Sequence, residues 1–279
     1  MIKTFKYEYA FIVLGLISSC YGLFLRSYFA LELGIFTTIY IASLFWLVRH
    51  RENKFLAKLR LALGFVFIFY IYQSIHKIVD LFSIALKDHY LLRCDEFLFG
   101  KTLSIYMEQF HSVWLTDINN LLYVLYDIYL AVFLTHCLFV QLNKAQLAAH
   151  YLFNAFFLGF VIYILVPAVG PRYAYTHLYS FEINGGVISQ LISSFIENAS
   201  PGYDVFPSLH TMVLLVLLDY DYHCHRFRFN FMLPFAFGIL FSTLYLRYHY
   251  AIDLIAGIIL FLLLKLWFEK RHGWSSYEL

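Results

Sequence analysis

The sequence predicts an all-α fold, a polytopic membrane helix bundle of about eight spans, on two observations. The first is composition: 62% of the residues are hydrophobic and 14% are charged, against about 25% charged in soluble domains. The second is a series of apolar runs, each close to the length that crosses a bilayer. Such runs favour helices, because a helix satisfies its own backbone hydrogen bonds in lipid. The net charge of +2 is too small to indicate a nucleic-acid partner.

The apolar runs define the predicted spans, since crossing the hydrocarbon core takes about 20 residues. The sixth run is the shortest and ends at Asp219 and Asp221. Between the third and fourth runs, the segment 83–117 mixes aromatic and aliphatic residues with charges, which predicts amphipathic helices at the membrane interface. The predicted spans are 7–25, 29–48, 60–82, 118–141, 146–168, 208–222, 231–247 and 250–268.

Basic residues predict the orientation of the bundle, because lysine and arginine concentrate in cytoplasmic loops. With the N-terminus in the cytoplasm, most of the 20 lysines and arginines fall on the inner face. We therefore expect both termini in the cytoplasm. The loop 169–207 and the turn near His249 then meet on the extracytoplasmic side, periplasmic or lumenal.

The stretch FSTLYLRYHYAIDLIAG, residues 241–257, places Arg247, His249 and Asp253 within seven residues of a hydrophobic segment. Ionisable residues within a membrane span are costly and indicate a functional site. His249 and Asp253 are four residues apart, which on a helix puts them on one face. The carboxylate would then accept the proton of one ring nitrogen and leave the other free as a nucleophile or base.

Two other segments reach the same predicted side of the membrane. VPAVGPRYAY supplies Arg172, which with Arg247 could hold phosphate oxygens in bidentate fashion. DVFPSLHT supplies Ser208, at a helix start that favours anions, and His210, placed to give a proton to a leaving oxygen. With His249 as nucleophile and Asp253 orienting it, these residues predict a phosphoryl-transfer site with no metal ion and no cofactor.

At these residues the sequence resembles the type 2 phosphatidic acid phosphatase superfamily of membrane phosphoesterases. That family carries an arginine-containing first motif, a PSGH second motif and an SRxxxxxHxxxD third motif. Here the second motif is PSLH, from Pro207 to His210, and the third ends in His249 and Asp253. The resemblance implies a six-span phosphatase core in residues 60–279, with interfacial helices at 83–117. Residues 1–59 are then two additional N-terminal spans.

The resemblance also implies the chemistry: a phosphohistidine on His249, with His210 as general acid and then base. Arg172, Ser208 and backbone amides would stabilise the transition-state charge. The chain departs from the family pattern at three positions, with Leu209 for the motif glycine, Thr243 for the third-motif arginine and Leu165 for a first-motif lysine. Lys77, Arg93 and Arg247 are candidates for the missing cation.

The combination of GPR, FPSLH and HYxxD is closer to the branch that contains inositol phosphorylceramide synthases, which transfer a phospho-head-group to an alcohol. We therefore expect a lipid phosphatase or phosphotransferase whose substrate is a lipid phosphate or phospholipid, with water or an alcohol as acceptor. The lipid, the acceptor and the oligomeric state stay open at this point. A second hypothesis is a non-catalytic transporter that binds a lipid or an anion with the same residues.

Overall fold

The computed structural model describes residues 6–25, 27–49, 53–200 and 202–271, and within these ranges the chain is all α-helical, without a β-strand. The predicted all-α fold is confirmed. The helices are α1 (Lys6–Phe24), α2 (Tyr28–Arg49), α3 (Lys54–Gln73), α4 (Ile75–Phe82), α5 (Asp88–Phe99), α6 (Leu103–Met107), α7 (Val113–Phe139), α8 (Leu142–Leu165), α9 (Pro171–Ala174), α10 (Val187–Ala199), α11 (Leu209–Cys224), α12 (Arg226–Tyr245) and α13 (Ala251–Arg271).

Six of the described helices, α2, α3, α7, α8, α12 and α13, are long and apolar enough to cross a membrane. The protein is therefore an integral, multi-pass membrane protein. The predicted spans 7–25 and 208–222 correspond to shorter helices, α1 and α11. The 16 residues of α11 extend about 24 Å, less than the roughly 30 Å of a hydrocarbon core. In the described part of the chain, six of the roughly eight predicted spans are thus long apolar helices, and the other two are shorter.

The predicted span 60–82 corresponds to two helices rather than to one. The chain forms α3 and α4, which are separated at Ser74. The Ser74 hydroxyl donates to the carbonyl of Tyr70 at 2.8 Å, and its N–H contacts the carbonyls of both Tyr70 and Ile71. A serine that bonds back to a carbonyl four residues earlier competes with the regular helical pattern.

The central helices of the bundle are α8 and α11. α11 packs against α7, α8, α12 and α13, while α8 also contacts α1, α3 and α4. A glycine allows α8 and α11 to approach closely: a Cβ on Gly159 would lie 2.5 Å from the side chain of Leu209. Leu209, which replaces the motif glycine, therefore occupies space that Gly159 leaves free.

The two N-terminal helices contact the rest of the bundle directly. α1 and α2 pack on each other, and both contact α3, while α1 also contacts α8. Arg60 of α3 forms a buried ion pair with Glu8 of α1, in which Nε lies 2.8 Å from Oε1. The division of the chain into residues 1–59 and 60–279 stays a prediction.

Short helices fill the segments between the long ones. Within 83–117 the chain forms α5, α6 and a 3₁₀ turn at Glu108–Phe110, and α7 begins at Val113 rather than at 118. The predicted loop 169–207 contains α9 and α10, which the sequence analysis missed. Contacts of α5 with α13 and of α10 with α7 place both segments at the end of the bundle where α7 and α13 begin.

Candidate active site

The turn between α12 and α13 carries His249. Because α12 ends at Tyr245 and α13 begins at Ala251, His249 and Asp253 do not share a helix, and the predicted helical spacing was wrong. The contact forms nevertheless: His249 Nδ1 lies 3.3 Å from Asp253 Oδ2. It forms because the turn folds back over the first turn of α13, where Asp253 Oδ2 also accepts a hydrogen bond from the Tyr250 N–H at 2.8 Å.

Burial isolates this pair from water. His249 is 3% exposed and Asp253 0% exposed. A carboxylate that accepts the proton of Nδ1 orients the ring and leaves Nε2 with its lone pair. Burial also lowers the pKa of His249 to about 4, and the Asp204 carboxylate and a backbone hydrogen bond with Val205 offset only part of this shift. The imidazole is therefore neutral at physiological pH, which is the form that a nucleophile requires.

His210 lies beside this pair, in the first turn of α11. The ring centroids of His210 and His249 are 5.6 Å apart and the planes meet at 68°. Two tyrosines of α7 hold the other side of His210, with Tyr123 at 4.6 Å and Tyr126 at 4.4 Å between ring centroids. The two histidines that the sequence placed in separate motifs are thus neighbours.

Ser208 is the N-cap of α11 and is fully buried. Its hydroxyl oxygen accepts a hydrogen bond from the Thr211 N–H at 3.2 Å, as an N-cap serine does. Its own N–H donates to the carbonyl of Asp253 at 3.1 Å, so this backbone group is not available to an anion. Gly257 permits the contact, because a Cβ there would lie 2.8 Å from the Ser208 carbonyl oxygen. The starts of α11 and α13 are therefore fixed against each other.

Arg172 reaches the His249 turn from the other direction. Its N–H donates to the carbonyl of Arg247 at 2.8 Å, and its Nη1 donates to the Tyr248 hydroxyl at 3.2 Å. Gly170 makes this approach possible: its φ is +87°, and a Cβ would lie 2.4 Å from the Tyr248 carbonyl oxygen. The ring of Tyr248 also contacts Tyr123, so the contacts from Arg172 to His210 pass through two tyrosines.

Arg247 has protein partners of its own. Its guanidinium pairs with Glu108 at 2.9 Å, donates to the Phe181 carbonyl at 2.7 Å and lies 3.8 Å from the ring centroid of Tyr179. Arg247 thereby fastens the segment around Phe181 to the turn. Arg172 and Arg247 both line a cavity of about 550 Å³, which we call the arginine cavity.

Asp95 of α5 caps the helix that carries Asp253. Its carboxylate accepts hydrogen bonds from the N–H groups of Ala251 at 3.0 Å and Ile252 at 2.9 Å, and from the Thr102 hydroxyl at 2.7 Å. Asp95 is fully buried. A carboxylate at a helix N-terminus satisfies free N–H groups and interacts favourably with the helix dipole. Asp95 therefore fixes the point at which the His249 turn becomes α13.

Asp88, two turns earlier on α5, holds the Arg172 segment. Its carboxylate accepts from the N–H groups of Val169 at 3.1 Å and Gly170 at 2.9 Å, and from the Tyr250 hydroxyl at 3.0 Å. Asp88 and Asp95 thus connect both loops of the site to one short helix. Neither aspartate was among the predicted site residues; the signal for them is a spacing of seven residues, which puts both on one face of a helix.

The structure brings four of the six predicted site residues into direct contact: Ser208, His210, His249 and Asp253. Arg172 and Arg247 adjoin them through the backbone of the turn and through Tyr248. Across the described part of the chain, no three His, Cys, Asp or Glu side chains lie close enough to hold a metal ion.

Comparison with known proteins identifies the family of the chain. The family model described as the PAP2 superfamily matches residues 89–267, a range that contains all six predicted site residues. No curated protein and no solved structure matches the chain significantly. The match covers more than half of the chain and includes both histidine motifs. The chain belongs to the PAP2 superfamily, and it is a membrane protein of the phosphatase type.

Proposed function

We propose that this protein cleaves or transfers the phosphate or phospho-head-group of a membrane lipid through a phosphohistidine on His249. The observation that carries the proposal is the arrangement of His249 between Asp253 and His210. One neighbour orients the ring at 3.3 Å, and the other faces it with a centroid separation of 5.6 Å. A buried neutral imidazole with one oriented nitrogen has the properties of a nucleophile.

The reaction has two steps. Nε2 of His249 attacks phosphorus while the bond from phosphorus to the lipid oxygen breaks, and His210, which must enter this step as the imidazolium, gives a proton to that oxygen. Water or an alcohol then attacks the phosphohistidine and gives its proton to His210, while the bond between phosphorus and nitrogen breaks. His210 thus returns to its starting state, and the phosphate or head-group leaves on the acceptor.

Arg172 and Ser208 supply stabilisation of the developing negative charge. The Ser208 hydroxyl can donate a hydrogen bond while its oxygen accepts from Thr211. The guanidinium of Arg172 is presented beside the turn and lines the arginine cavity. We assign Arg247 a supporting role in phosphate binding, because its charge lies in the same cavity although Glu108 partly neutralises it.

We propose that the site faces the extracytoplasmic side. The Arg172 segment, the start of α11 and the His249 turn lie at one end of the bundle, and the count of basic residues favours the cytoplasm for the other end. A lipid is the substrate that suits a membrane-embedded bundle, because its tails can remain in the bilayer while its phosphate reaches the histidines.

Turnover of a lipid panel tests the proposal. Purified protein in nanodiscs should convert lipid phosphates or phospholipids in the presence of a chelator, because arginine, serine and two histidines perform every step. His249→Ala should abolish conversion. His223→Ala, at the opposite end of α11 from His210, is the matched control and should leave it intact. Full turnover by His249→Ala would show that the nucleophile is misassigned.

We propose separately that the acceptor is an alcohol rather than water. The likeness of the motifs to inositol phosphorylceramide synthases favours transfer to an alcohol. Product separation with and without an added lipid alcohol distinguishes the two. A head-group found on the alcohol supports transfer, and free phosphate or phospho-head-group at an unchanged rate supports hydrolysis.

A further inference from the structure

A second cavity is lined by His210, and neither Arg172 nor Arg247 lines it. It consists of two adjoining spaces of about 140 and 570 Å³ between α3, α7, α8 and the start of α11. Tyr72, Asp127, Asp204 and His210 line both spaces, and Phe69 and Leu130 are among the shared apolar residues. We call this the carboxylate cavity.

The charges of the two cavities are opposite. The arginine cavity contains Arg172 and Arg247 beside one carboxylate, Glu182. The residues that line the carboxylate cavity include Asp127 and Asp204 and no lysine or arginine. Carboxylates repel a phosphate, so a phosphate is more stable beside Arg172 than inside the carboxylate cavity. The carboxylate cavity suits the uncharged part of a substrate.

Asp127 is the feature that this arrangement leaves unexplained. It lies near the middle of α7, a helix of 27 residues that is long enough to cross the membrane. Among the described residues it makes no hydrogen bond and no ion pair, whereas Asp204 accepts from the Tyr72 hydroxyl at 2.5 Å and from the Ser200 hydroxyl at 2.9 Å. An intramembrane carboxylate without a partner is costly and indicates a ligand.

The shape of the cavity fits a lipid. Phe65, Phe153 and Phe156 line its inner wall, and Phe69 lines it while 63% exposed on the surface of the bundle, so hydrocarbon chains can enter from the bilayer. His210 stands at one end, beside Tyr126 of α7. Asp127 follows Tyr126 in the chain, so it lies slightly deeper along the same helix.

We propose that the carboxylate cavity binds a lipid alcohol that carries a second hydrogen-bond donor. Its hydroxyl oxygen lies at His210, and the second donor, a further hydroxyl or an amide N–H, binds the carboxylate of Asp127. The inference rests on the proposed function for the role of His210. In hydrolysis this alcohol is the leaving group, and in transfer it is the acceptor.

Competition binding tests this proposal without turnover. In the His249→Ala background, a photoreactive lipid alcohol is crosslinked in nanodiscs, and two competitors of equal chain length are compared. One is a diacylglycerol with a single hydroxyl, and the other is an N-acyl amino alcohol that also offers an amide N–H. The half-maximal competing concentration of the N-acyl compound should be at least about tenfold lower than that of the diacylglycerol, because a hydrogen bond to a charged group strengthens binding to that extent.

Asp127→Leu should remove this preference, so that both competitors act at similar concentrations. The matched control is Glu32→Leu, which removes a carboxylate from another apolar helix, outside the cavity. It should retain the full preference. Asp127→Leu should also fold, because leucine is favourable at this depth, and its Tm should equal or exceed that of the parent protein.

Three results would overturn the proposal: equal competition in the parent background, an unchanged preference in Asp127→Leu, or strongest competition by a long-chain amine without a hydroxyl. A turnover assay with the active parent protein distinguishes whether the alcohol is the acceptor or the leaving group. If the N-acyl alcohol receives phosphate or head-group it is the acceptor, and if it only inhibits as a product it is the leaving group. Turnover that survives His249→Ala would refute the proposed function but leave the binding result interpretable.

Discussion

At the scale of single residues, the candidate site is built on a turn rather than on a helical repeat. The four-residue spacing predicted contact between His249 and Asp253, and the contact exists at 3.3 Å. Its cause is different, because His249 precedes α13 and the turn folds over the helix start. The four-residue spacing identified the pair because a helix and a turn that folds over a helix start both bring such residues together. The positive φ of Arg247, +64°, which helps to form the turn, has no sequence signal, since a side chain disfavours that conformation.

Asp253→Asn should lower kcat about 10²- to 10⁴-fold. The amide is similar in size but carries no charge to orient the imidazole and to stabilise it as it becomes cationic. Lipid turnover at saturating substrate measures the effect. Glu269→Gln, an exposed carboxylate near the end of the same helix, is the control and should change kcat little. Equal activity of Asp253→Asn and the parent would remove Asp253 from the mechanism.

The pH dependence of kcat/KM should reflect the buried state of His249. Protonation removes the lone pair of the nucleophile, so activity falls as pH falls through the pKa. Because burial lowers that pKa to about 4, the acid-side decrease should lie near pH 4 rather than near 6.5. A phosphodiester lipid should be used, since its phosphate does not titrate in this range. An acid limb centred near 6.5 would contradict a desolvated His249.

At the scale of helices, α5 organises the site although it contributes no predicted catalytic group. Apolar run length predicted most of the long helices correctly, because hydrophobicity sets which segments enter the bilayer. It could not predict that Asp88 and Asp95 face inward, since their partners are backbone N–H groups distant in sequence. The split at Ser74 was missed for a related reason, because a local hydrogen bond does not change apolarity.

Asp95→Asn should impair positioning rather than binding. The amide presents one oxygen to the N–H groups of Ala251 and Ile252, and the charge that favours the start of α13 is lost. Loss of such a cap costs about 0.5–2 kcal/mol, so Tm should fall, and kcat should decrease more than KM increases. Glu96→Gln, the adjacent exposed carboxylate, should alter neither. A change confined to KM would show that Asp95 contacts the substrate instead.

At the scale of the whole molecule, the family match begins at residue 89, after α1 to α4. The N-terminal helices are nevertheless packed on the core, and the pair Glu8–Arg60 connects α1 to α3. Composition predicted the membrane class, and the motifs predicted the candidate site. The route by which the N-terminal helices join the bundle was not predictable, because an ion pair between residues 52 positions apart leaves no local pattern.

Glu8→Leu should destabilise the protein by about 3–5 kcal/mol, because it leaves Arg60 buried without its partner. The double variant Glu8→Leu/Arg60→Leu should recover most of that loss, since two apolar side chains replace the pair. Unfolding in mixed detergent micelles with an increasing fraction of a denaturing detergent measures the free energy of unfolding of both variants. If the double variant is as unstable as the single one, the pair contributes to packing rather than through its charges.

The proposed mechanism requires His249 to carry the phosphate during turnover, and trapping of this phosphohistidine is its direct test. A lipid labelled at phosphorus is mixed with the protein, and the reaction is quenched in alkali within the first turnover. The protein is then digested, and the labelled peptides are sequenced. We expect label on His249 that is stable in alkali and lost in acid. Label on any other residue, or turnover without a labelled intermediate in a protein that lacks the His249 imidazole, would contradict it.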